Sequence, residues 1–100
     1  MLIPVSDQML LHRVAGRDAT ALTELQRRHG PSLYALVYGM LMDAERAERV
    51  VAEVFEQVWH AAGLLIQRRH GAHSWLRETA KERARATRAA DSRLHWRQSW

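Results

Sequence analysis

One hundred residues, 47% of them apolar, suffice for one small hydrophobic core and leave no length for a second domain. The absence of cysteine excludes disulfides and thiolate metal sites and makes a reducing, cytoplasmic location the expected one. The formal net charge of +4 is unevenly placed: Met1 to Gln67 carries six Lys/Arg against eight Asp/Glu, net −2, and Arg68 to Trp100 carries nine against three, net +6. Such a division suits a domain that meets protein on one side and a polyanion on the other.

Met1 to Ser6 contains Pro4 and lacks a basic stretch followed by a sustained apolar one, so neither a secretory leader nor a membrane span is expected. Ser6 and Asp7 suit the cap of a first helix from about Gln8 to Ala15, with Met9, Leu10, Leu11 and Val14 inward and Gly16 ending it. Asp18 then caps a second helix through about His29, its inner face made of Ala21, Leu22 and Leu25. Gly30-Pro31 is expected to break the chain. A third helix from Ser32 to about Met42 is apolar nearly all round (Leu33, Tyr34, Leu36, Val37, Tyr38, Met40, Leu41), the pattern of a central helix.

From Asp43 to Trp59 the pattern is strongly amphipathic. Ala47, Val50, Val51, Val54, Phe55 and Val58 keep one face dry, and Glu45, Glu48, Arg49, Glu53, Glu56 and Gln57 form the other. Beyond Trp59 the period loosens through Gly71, which reads as a loop with a helical beginning. His73-Ser74 opens a last helix, with Trp75, Leu76, Thr79 and Ala80 toward the core and the small residues Ala84, Ala86, Ala89 and Ala90 on a largely exposed second half. Residues 91–100, with Leu94, Trp96 and Trp100, show no clear period and are expected to form a tail after a domain of residues 1–90. No strand-like alternation persists, so the fold class is all-α, a compact bundle of four to five helices.

No nucleophile and base stand in a usable spacing, and the carboxylate pair Glu45 and Glu48 lies on a wet face that raises no pKa, so catalysis is not expected. His70 and His73 are three apart without a further ligand nearby in sequence, and no metal or cofactor is expected. On the last helix Arg77, Lys81, Arg83, Arg85 and Arg88 supply charge for phosphates. Trp59 and Trp75 read as core anchors.

The order Asp43, Ala44, Glu48, Val50-Val51, Glu53, Val54, Phe55 and Trp59, with Trp75-Leu76 sixteen positions on, resembles region 2 of the extracytoplasmic-function (ECF) RNA polymerase sigma factors. Leu10 to Gly16, Asp18, Ala21-Leu22, Leu25, Arg27-Arg28 and Leu33-Tyr34 fit the helices that precede it. The resemblance implies a sigma domain that binds polymerase core, at the clamp helices of the largest subunit, through Glu48, Arg49, Glu53 and Gln57. It also implies that the melted, single-stranded minus-ten promoter element is held by the loop from Leu64 to His73 and the helix after it, through Arg68, Arg69, Trp75, Arg77, Lys81, Glu82, Arg85 and Arg88. The family's second domain, the region 4 helix-turn-helix, is not expected within these residues. Arg49, Ala52, Glu82 and Ala86 depart from the family pattern. They favour an alternative, a sigma-like protein that binds an anti-sigma factor or another regulator without initiating transcription; a third reading is a helical domain that binds nucleic acid through charge alone. On the first reading the docking face and the basic face lie on opposed sides of the bundle.

Overall fold

Ser6 and Asp7 start the first helix as their chemistry requires. The Ser6 hydroxyl accepts from the Met9 N–H at 3.1 Å, and α1 runs from Asp7 to Ala15. The structure, a computed structural model, describes residues 5–68 and 71–98, with side chains as far as Asp91. Leu10, Leu11 and Val14 are buried, whereas Met9, expected inward, is 53% exposed, because it stands off the face that meets α2 and α3. Gly16 closes α1, and Arg17, at φ 69°, turns the chain through the left-handed region.

Asp18 caps α2, accepting from the N–H groups of Thr20 and Ala21. The helix then runs unbroken from Ala19 to Leu41, so the two helices expected on either side of Gly30-Pro31 are one. The buried positions Ala21, Leu25, Leu33 and Val37 keep a spacing of four or eight across the proline. Pro31 itself is exposed, as is Arg27, the residue whose carbonyl loses its N–H partner. Only Leu33 and Val37 of the second half are buried. Tyr38 and Met42 are 40% and 72% exposed, so this stretch is a flank rather than the centre. Met42, at φ 53°, ends α2 by donating its N–H to the Tyr38 carbonyl at 2.7 Å.

The carboxylate of Asp43 accepts from the Arg46 N–H and starts α3, Ala44–Leu65. Its buried face carries Ala47, Val50, Val54, Phe55 and Val58, then Ala62 and Leu65 within the stretch expected to be a loop with a helical beginning. Gly63 does not interrupt it, being exposed with nothing near its missing Cβ. Gln8 of α1 ties down the end by donating to the Ile66 carbonyl at 2.7 Å.

The connection to α4 is correspondingly shorter than the expected loop. Gly71, at φ 72°, opens α4, which runs to Gln98 and so extends through most of the segment read as a tail. Ala72, Leu76, Thr79, Ala80 and Ala84 are buried, and after Ala84 the alanines are exposed. The side chains of Leu94 and Trp96, and Trp100 altogether, lie outside the described residues. The described residues thus form an all-helical bundle of four helices around one core, with α2 and α3 the most extensive pair.

Candidate docking and nucleic-acid surfaces

The polar residues of α3 divide between its two flanks. Glu48 rims a shallow, mainly apolar groove of about 240 Å³ between α2 and α3, lined by Gln26, Gly30, Tyr34, Val51, Ala52 and Phe55. Tyr38 extends this side, its ring stacked on that of Tyr34 with centroids 6.0 Å apart. Arg49 and Glu53 face the other way, into a groove of about 380 Å³ between α3 and α4 that Arg46, Val50, Thr87, Ala90 and Asp91 complete. Gln57 lies further along that flank, beside Glu53, His60 and Arg83. The four docking residues therefore straddle the ridge of α3 instead of forming one patch.

Side-chain pairs fasten α4 to α3 across the second groove. Arg83 donates to Glu53 at 3.2 Å and to the Gln57 amide oxygen at 2.8 Å, and Arg46, which also approaches Asp43, pairs with Asp91. Both pairs are partly exposed, the range in which an ion pair contributes about 0.2–1 kcal/mol. Arg83 is thus tied to α3 and does not join the other α4 cations. Glu53 and Gln57 of the expected docking face thus contact α4 at Arg83, and the other α4 cations take no part in that contact.

Arg77, Lys81, Arg85 and Arg88 follow one another at steps of four, four and three, so they form a single stripe on the side of α4 turned from the core. Arg85 and Arg88 are exposed; Arg77 and Lys81 are half-buried, and Lys81 lies 3.6 Å from Glu78. Two residues expected with them stand apart. Trp75 is half-buried against the core, and Glu82 is exposed with Glu78 one turn before it, an acidic margin beside the stripe. Arg68 is exposed in the α3–α4 connection, and Arg69 lies outside the described residues.

Trp59 is an anchor as expected, packed on the core with the Arg17 guanidinium 5.1 Å from its ring centroid and donating to its carbonyl at 3.0 Å. His73 approaches a partner that sequence reading missed, the ring of His29 at 5.6 Å, and His29 in turn meets Asp7 at 2.7 Å. Asp7 also accepts from Arg28, which leaves this cluster internally paired. Among the described residues no three His, Cys, Asp or Glu side chains are placed to hold a metal ion, and His70 lies outside them. Nor is any described helix long and apolar enough to cross a membrane.

Comparison with curated proteins returns relatives named as ECF RNA polymerase sigma factors. The chain is 33% identical over 75 residues to the protein named ECF RNA polymerase sigma factor SigK of Mycobacterium tuberculosis, and equally to that of Mycobacterium bovis. It is 32% identical over 76 residues to the protein of that name from Mycobacterium sp. strain KMS. The matches cover 75% and 76% of this chain, which spans about 40% of the length of those relatives. No family model matches, and no solved structure matches. The chain is thus a relative of the ECF RNA polymerase sigma factors, corresponding to a part of them.

Proposed function

We propose that this chain is a sigma region 2 domain that docks on RNA polymerase core through α3 and holds the melted minus-ten element along α4. The observation that carries the reading is the sequence match over three quarters of the chain to proteins named as ECF sigma factors. The geometry is consistent with it in two respects. Glu48 on one flank of α3 and Arg49 and Glu53 on the other leave a ridge that a pair of clamp helices would straddle, meeting apolar surface at Tyr34 and Val51 and charge at the rim. On α4 the stripe from Arg77 to Arg88 presents four cations on successive turns, and Arg68 is exposed in the connection before the helix. The activity is binding, and no step of chemistry is assigned to the chain.

The test is a titration of polymerase core and of a single-stranded minus-ten oligonucleotide against the wild-type chain and the Glu48→Arg/Glu53→Arg variant. Core binding that the variant loses by at least about tenfold, with preference for the minus-ten sequence, supports the reading. No core binding by the wild type overturns it. A second reading, capture by an anti-sigma factor without initiation, is favoured by the acidic margin of Glu78 and Glu82 beside the stripe, since a carboxylate there repels phosphate. It predicts a tight protein partner and no preference among oligonucleotides.

A further inference from the structure

Arg83 departs from the other cations of α4. Its guanidinium turns to α3, donating from Nη1 to Glu53 Oε2 at 3.2 Å and from Nε and Nη2 to Gln57 Oε1 at 3.3 and 2.8 Å. Those two side chains are among the groups that a partner on α3 needs. They are occupied but not sealed off, for the side chains of Arg83 and Glu53 are 38% and 42% exposed.

We propose that Arg83 is an internal competitor for the docking site. In the free chain it holds the Glu53 carboxylate and the Gln57 amide oxygen, and polymerase core gains those acceptors only by displacing it. The inference rests on the docking reading above and adds its regulation. Displacement removes one of the two ion pairs that join α3 to α4 among the described residues, leaving Arg46–Asp91. Docking on α3 therefore loosens the helix that carries the nucleic-acid stripe, so the two binding events are thermodynamically linked.

Arg83→Met tests this, because methionine retains much of the aliphatic stem and removes every donor. Binding of polymerase core is followed by anisotropy of the labelled chain, without DNA, for wild type, Arg83→Met and Arg83→Lys. Arg83→Met is expected to bind core more tightly than wild type by up to about fivefold, the upper end of the range set by an exposed charged pair. Arg83→Lys, which keeps a charge for Glu53 but not the forked donors to Gln57, is expected to fall between them. Equal or weaker binding by a helical Arg83→Met overturns the competitor and leaves the docking reading standing, whereas loss of wild-type core binding removes both. Should Arg83→Met fail to fold, Arg83→Lys decides alone: tighter binding supports the competitor and unchanged binding overturns it.

Discussion

Asp18 and Glu24 carry the clearest electrostatic signature at the residue scale. A hydrogen bond from the Thr20 hydroxyl, then one from Arg13, holds the Asp18 carboxyl down at about 2, while Arg27 and Arg28 together bring Glu24 to about 2. Both folded values lie below the ordinary values of 3.8 and 4.5, so each carboxylate adds stability that is fully present above its ordinary value and is lost as pH falls toward 2. Both groups are exposed to solvent, which keeps the contribution small. Thermal unfolding followed by circular dichroism should show a Tm that falls as pH drops from about 4.5 to about 2. In Asp18→Asn/Glu24→Gln that fall should flatten, because Asn keeps an oxygen for the cap but no longer titrates. An unchanged acid profile in the double variant would assign the loss to other groups.

Among the elements, α2 is the one that runs against its own local sequence. A proline inside a helix costs about 3 kcal/mol through the missing N–H and the clash of its ring with the preceding turn. Pro31 is nevertheless carried because Leu25, Leu33 and Val37 bury one continuous face against the rest of the core. Pro31→Ala restores the bond to the Arg27 carbonyl and loses no buried contact. After the greater freedom of the unfolded chain is set against this, the variant should be more stable by about 2 kcal/mol, read as a higher urea midpoint. The same contrast marks where sequence reading works. Ser6, Asp18 and Asp43 announce their helices because a cap is a local hydrogen bond, and the stripe from Ala47 to Val58 is legible because burial follows the helical period. The chain stays helical through Pro31, where a break is expected, and through Gly63, in the expected loop, because both stand on wet faces, where a weak helix former is tolerated if the buried stripe continues. Charge asymmetry pointed to α4 as the basic helix, but it could not separate Arg83 from Arg85. That distinction depends on Glu53 and Gln57, 30 and 26 residues away in the chain.

For the molecule as a whole, the consequence of the Arg83 contact with α3 is that charge on α4 has two separable tasks. Arg77, Lys81, Arg85 and Arg88 form a stripe, half-buried at Arg77 and Lys81 and exposed at Arg85 and Arg88, and Arg83 is held by α3. Binding of single-stranded DNA releases counterions in proportion to the phosphates neutralised, with a log–log slope against salt of about −0.7 per contact. Four stripe contacts therefore give a slope of about −3, and Arg85→Gln/Arg88→Gln should reduce it to about −1.4. Arg83→Met should leave the slope where it was, since that side chain already answers a carboxylate inside the protein. Glu82→Gln should raise affinity for every sequence alike by removing a repulsive neighbour of the stripe, without adding a contact to the slope. Anisotropy of a labelled oligonucleotide over a salt series measures all of these together. A slope that follows Arg83 and ignores Arg85 and Arg88 would mean that the α3–α4 groove, and not the outer stripe, receives the strand.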